Sequence, residues 1–230
     1  MSMHTKKWVV IIISIILMAT ISACKTEKEK DSIESNEEEE PSVTEDDDKS
    51  EVVTIEDKIF LYEDLEFYKL MNQIQVDINL EEERSTIDEE NIEERAEFWN
   101  EQLEYYENVN VNLQSLIETY AMSLLAEEKN FFVPDEKIET EVDKLLKQIE
   151  NNESIRRRID DYGEKRYNRN IREYVRQTKL RDRIISELEA DIIEENGDLE
   201  ENEISYLVET EFEDLYAAQL STLDMNIHIQ

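Results

Sequence analysis

Val52-Val53-Thr54-Ile55-Glu56-Asp57-Lys58-Ile59-Phe60-Leu61 is the stretch that decides the fold. It holds two short β-prone runs, Val52 to Ile55 and Ile59 to Leu61, around a polar turn, and so predicts a small hairpin. The period then changes. From Tyr62 onwards Leu65, Tyr68, Met71, Ile74 and Ile78 recur at helical spacing, which predicts a helix over 62–78 directly behind the hairpin. Residues 81–87 read as a connection, with Thr86 and Glu89 spaced as a capping box.

Helix dominates the remainder of the chain. Trp99, Leu103, Tyr106, Asn110, Leu113, Ile117, Tyr120 and Leu124 alternate steps of four and three. An unbroken helix over 88–129 would run about 60 Å at 1.5 Å per residue. The asparagines of 108–112 offer an interruption, and Asn110 on the apolar stripe either sets register or marks a kink. Asn130 predicts a left-handed stop, and Pro134 suits the first turn of a new helix. That helix carries Ile138, Val142, Leu145 and Ile149. A turn at 151–154, a short helix over 155–162 and a cap at Gly163 come next. A further helix runs to about 195 through Ile171, Val175, Ile184, Leu188 and Ile192, and a last one covers 203–220. Met225-Asn226-Ile227-His228-Ile229 alternates as a closing strand. Two short strands in front and one behind are expected to form one small sheet, because a lone hairpin is marginal in water.

Composition agrees with this mainly α reading and excludes several functions. Two Gly and two Pro in 230 residues argue against a turn-rich β protein. The formal charge of −35 makes nucleic acid an improbable partner, since phosphate binding needs clustered positive charge. Cys24 is the one cysteine, so disulfides and cysteine metal sites are not expected. Two histidines, His4 and His228, leave little for histidine metal sites or a Ser-His-Asp triad. Carboxylates are too abundant to nominate a general acid and base. No phosphate loop, nucleophile elbow or metal-helix motif is present, and no cofactor is implied.

The first fifty residues read as an address and a tether. Lys6 and Lys7 precede an apolar run from Trp8 to Met18, followed by Ile21-Ser22-Ala23-Cys24. A basic opening, a short apolar stretch and small residues before the cut are the parts of a secretory signal. The run falls short of the roughly 20 residues a spanning helix needs. Ending it on Ile-Ser-Ala-Cys resembles the bacterial lipobox, which implies cleavage after residue 23 and lipid on Cys24. Residues 1–23 are then the signal peptide and 24–50 an acidic, disordered tether containing Glu37 to Glu40 and Asp46 to Asp48. Its typical span as a coil is roughly 30 Å. The folded domain occupies 51–230.

Val53 to Tyr68 resembles the opening of the SurA/PrsA family of extracytoplasmic chaperones, where strand, turn, strand and helix read roughly V-x-V-N-G-x-x-I-T-x-x-E-F. Leu116-Ile117, Leu124-Leu125-Ala126, Phe132-Val133-Pro134-Asp135-Glu136 and Ile138 are similar to the family's core helix and the link after it. Lys179-Leu180, then Phe212-Glu213-Asp214-Leu215 through Ile227-His228-Ile229, are similar to its later helix and closing segment. Two departures stand out. Glu56-Asp57 replaces the usual Asn-Gly turn, and Leu61 sits where a Thr would cap the helix. The parvulin isomerase domain carried by PrsA-like members has no room here, because a separate domain needs 50 residues or more.

The resemblance implies a lipid-anchored holdase on the outer face of the cell membrane, with a lean towards a Gram-positive surface, taking unfolded or newly exported polypeptides. Trp99, Tyr105, Phe131 and Phe132 are the candidate client-binding rings, with Tyr106 and Tyr120 as further spare aromatics; the competing reading is that such rings fill the core. Tyr105 and Phe131, next to stripe positions rather than on them, are the better surface candidates. Residues 156–183 hold eleven bases against five acids, among them Arg156, Arg157, Arg158, Arg169, Arg172 and Arg176. They suggest either a site for anionic wall polymer or lipid headgroups, or a basic helix laid against acidic neighbours. A tethered adaptor for one dedicated partner and a prolyl isomerase without the usual domain are the rival functions.

Overall fold

The computed structural model describes residues 50–84, 92–150, 152–197 and 199–229. The signal, Cys24, the tether up to residue 49 and the Thr86/Glu89 capping box lie outside the described residues.

The hairpin forms as β1 (Glu51–Ile55) and β2 (Lys58–Leu61), antiparallel, with Thr54 opposite Ile59 and Ile55 opposite Lys58. Its turn places Glu56 at φ +51°, a left-handed conformation that suits Asn or Gly better. The far end of the chain offsets that strain. Glu56 N–H donates to the Asp224 carbonyl at 2.8 Å, and the Glu56 carboxylate accepts from Asp224 N–H at 2.9 Å. Next to this clamp, β3 (Met225–Ile227) pairs antiparallel with β1, giving the order β2-β1-β3. β1 is the central strand, and Val52, Val53 and Ile55 are fully buried. The closing strand is shorter than the expected 225–229. His228 still donates its N–H to the Val52 carbonyl at 2.9 Å, while Ile227 stays 47% exposed.

α1 (Tyr62–Arg84) starts directly after β2. Leu61 lacks a capping side chain, but its N–H donates to Asp64 Oδ2 at 2.8 Å, which is half of a capping box. The helix runs beyond its expected end at 78. Residues 81–84, expected as a connection, are Glu-Glu-Glu-Arg, good helix formers with no breaker among them.

The continuous 88–129 helix is not what the chain builds. α2 (Ile92–Tyr105) and α3 (Val109–Glu128) are separated by a turn. Asn108 caps α3 by accepting from Asn110 N–H at 2.9 Å. The buried polar residue is Asn112 rather than Asn110. Its amide donates to the Tyr106 and Asn108 carbonyls at 2.7 and 3.0 Å and accepts from Asn72 on α1 at 3.1 Å. The asparagines therefore satisfy the backbone groups that the break exposes.

α3 ends as the sequence predicts, with Asn130 at φ +62°. Phe131 N–H reaches the Ala126 carbonyl and Asn130 N–H the Glu127 carbonyl, both at 2.8 Å, the two bonds of a Schellman stop. α4 (Asp135–Glu150) follows Pro134; α5 (Glu153–Tyr162) is capped by Asn152; Gly163, at φ +104°, turns the chain into α6 (Glu164–Glu195). At 32 residues α6 is about 48 Å long. α7 (Glu201–Thr222) begins with a reciprocal Glu200–Glu203 capping box.

α6 is the spine. One core packs it with α1, α4 and α5 around Phe67, Ile74, Ile155, Tyr167 and Ile171. A second lies under the sheet, where Val53, Phe60 and Leu65 meet Leu113 and Leu116. A third joins α3, α6 and α7 through Met122, Leu180, Ile184 and Phe212. Among the described residues, no helix is long and apolar enough to cross a membrane.

Candidate client-binding surface

The Schellman stop positions the most exposed ring in the chain. Once Asn130 has turned the backbone, Phe131 folds inwards against the third core and Phe132 is thrown out, 80% exposed. Arg183 covers Phe131 with its guanidinium 5.2 Å from the ring centroid, and Lys129 approaches at 6.0 Å. Both rings line a cleft of about 90 Å³ together with Glu127, Asp135, Arg176 and Leu180. Arg176 is held there by Asp135 at 3.3 Å and by Glu173 at 3.9 Å. The result is a small apolar notch with a charged rim, wide enough for one apolar side chain.

The four candidate rings are thus not brought to one place. Phe131 and Phe132 share the cleft. Tyr105 closes α2, 36% exposed and edge-on to Tyr106 at 5.4 Å, and takes no part in the notch. Trp99 is only 8% exposed. Its indole N–H donates to the Glu83 carboxylate, which also holds Arg95 at 2.8 Å, and Phe98 lies edge-on at 5.0 Å. Trp99 therefore fastens α2 to α1 and is withdrawn from the surface. Tyr120 faces Phe60 of the sheet at 4.9 Å. Sequence reasoning misses Tyr206, 68% exposed on α7, although it stands off the Ile204/Leu207 stripe just as Tyr105 stands off its own.

The basic segment follows the competing reading. Arg158 reaches across to α1, donating to Asp77 at 2.8 Å and to the Gln73 side chain at 3.2 Å. Arg169 pairs with Glu63. Arg172 grips Glu139 with two bonds of 2.6 and 3.1 Å, and that hydrogen bond holds the Glu139 carboxyl below its ordinary value. Arg157 meets Glu153 at a loose 3.7 Å. Of the six arginines singled out, Arg156 alone shows no ion pair among the described residues. Most of these arginines are thereby paired with acidic neighbours, several of them across to α1 and α4.

Titratable groups inside the domain serve packing. Tyr68 donates to Gln177 at 2.9 Å and lies edge-on to Tyr174 at 5.4 Å; burial pushes both phenols up. Burial pushes Tyr216 up to about 12. Burial also raises Glu118, with Arg181 opposing it at 3.5 Å. None of these groups opens onto the cleft. His228 sits on the sheet, 3.0 Å from the Thr54 hydroxyl and 3.7 Å from Glu51. Among the described residues, no three His, Cys, Asp or Glu side chains gather where they could hold a metal ion.

Compared with protein-family models, curated proteins and solved structures, the chain matches none.

Proposed function

We propose that the chain is a lipoprotein held by acyl chains on Cys24 at the outer face of the cell membrane, where it acts as a non-catalytic holdase for unfolded or newly exported polypeptides. The observation that carries the reading is Phe132: a bare aromatic ring, fixed by a helix stop, beside a notch that fits one apolar side chain. A water-exposed ring next to an apolar notch gains by covering itself with an extended chain, at about 25 cal/mol per Å² buried. The reading also rests on the SurA/PrsA resemblance of the strand-turn-strand-helix opening and of the Phe-Val-Pro link.

Aggregation of several unrelated denatured proteins tests this reading. The full chain should suppress it, and Phe132→Ser should weaken suppression several-fold while leaving the urea midpoint unchanged, because an exposed ring adds little to the fold. A dedicated adaptor would protect none of them. An isomerase would accelerate proline isomerisation, which is slow enough uncatalysed, roughly 10–100 s, for the difference to be plain. The anchor has its own test. Cys24→Ser should abolish incorporation of labelled fatty acid and release the protein from membranes; continued labelling would refute the assignment.

A further inference from the structure

The far end of α6 and the start of α7 leave the body of the domain. Ile192 on α6 is buried, but none of residues 189–211 belongs to the three cores, which end at Leu188 on α6 and begin again at Phe212 on α7. At 1.5 Å per residue, α6 extends about 10 Å past Leu188 and α7 begins about 16 Å before Phe212, and together they form an arm. Ile204, Leu207 and Val208 stand at helical spacing on α7 yet are only half-buried, as is Leu199 in the link. Two helices alone cannot enclose a stripe of this kind. Ile193 on one helix and Tyr206 on the other are 45% and 68% exposed.

The arm's charge is one-sided. Residues 189–211 contain ten Asp and Glu and no Lys or Arg, and no Lys or Arg occurs anywhere after Arg183. Among the described residues, ion pairs on α6 stop at Glu187, which meets Lys129 at 2.8 Å. Burial, and then the negative charge of Glu201 across the arm, push the Glu189 carboxyl up. These like charges repel a second copy of the chain, and they repel its own acidic tether. The chain's basic segment is already engaged with α1 and α4.

We propose that this arm is a docking surface for a lysine- or arginine-rich amphipathic helix of another polypeptide. Its apolar side would complete a three-helix core over Ile204, Leu207 and Val208, and its cations would meet the unneutralised carboxylates. The surface is separate from the Phe132 cleft, and docking there does not depend on holdase activity.

A titration with the full chain in phosphatidylcholine vesicles tests it, with empty vesicles as the blank. The probe is a fluorescent peptide of about 18 residues, five helical turns, with leucines along one side and lysines along the other. Fluorescence anisotropy should report saturable binding that weakens as salt rises. A scrambled peptide of the same composition should bind about tenfold more weakly, having no apolar face. Replacing Ile193 and Tyr206 together by Ser should cost about tenfold, and Glu194→Lys with Glu201→Lys should cost at least as much. All four positions are exposed, and urea unfolding followed by circular dichroism checks each variant's fold. Absence of binding overturns the proposal. Equal binding of the two peptides would reduce the arm to a polyanion and also overturns it. So would affinity unchanged in whichever double variant folds.

Discussion

Removing residues 224–230 should destabilise the whole domain by about 3 kcal/mol, although the cut lies some 170 residues from the hairpin in sequence. The truncation takes away β3, the two hydrogen bonds between Asp224 and Glu56 that hold the left-handed turn, and the His228 bond to Val52. Each such hydrogen bond contributes roughly 1 kcal/mol net. Met225 and Ile229, which pack on the second core, are lost as well, and β1 becomes an open edge beside Val52, Val53 and Ile55. Exposed Ile227 contributes little. Against a total stability of about 5–15 kcal/mol this is a large share, and the urea midpoint should fall by on the order of 1–2 M. Circular dichroism of the helices reports it. An unchanged midpoint would mean that the terminal segment is a loose tail and that the ends do not close the fold.

Arg158→Ala should cost about 3 kcal/mol, while Arg157→Ala, its immediate neighbour, should cost less than about 0.5 kcal/mol. Asp77 is 5% exposed and relies on Arg158 at 2.8 Å, with Ser154 at 3.1 Å as its other partner. Removing the arginine leaves a carboxylate out of water with one hydroxyl for company, and strands the Gln73 carbonyl too. Arg157 and Glu153 have side chains 71% and 82% exposed, so water replaces their attraction at almost no cost. Urea unfolding of the two variants side by side separates them. Equal small effects would mean that Arg158 does not hold α5 against α1.

The neighbouring pair shows what the sequence can and cannot say about the candidate sites. Arg157 and Arg158 are indistinguishable by composition, and only the phase of a short helix turns one towards α1. The helices themselves are legible, because Leu, Ile and Val recur at 3.6-residue spacing and Asn130, Pro134 and Gly163 punctuate them. The closing strand is legible from its alternation, and its pairing from the weakness of a lone hairpin. Glu56 in the turn looks like a defect in sequence, since its partner, Asp224, is visible only once the chain is folded. The break at 106–108 is one of two alternatives that the residue pattern leaves open. What decides it is Asn112, which takes up the carbonyls of Tyr106 and Asn108, and nothing in its spacing announces that. Of the rings in the cleft, Phe131 is the one the sequence favours for the surface, yet both it and Phe132 follow the same helix stop, and the turn at Asn130 folds Phe131 inwards and leaves Phe132 out. Trp99 misleads because a stripe residue on a two-helix contact can still be covered, here by α1 and Glu83.

Affinity for one protein in two states puts the holdase reading to its most direct test. Titrating the full chain, in neutral-lipid vesicles, into a labelled single-domain protein compares the native form with the same protein kept permanently unfolded by reduction and blocking of its thiols. Binding of the unfolded form alone, weakened several-fold by Phe132→Ser, is the predicted result. Binding of neither form, or of both equally, would contradict it.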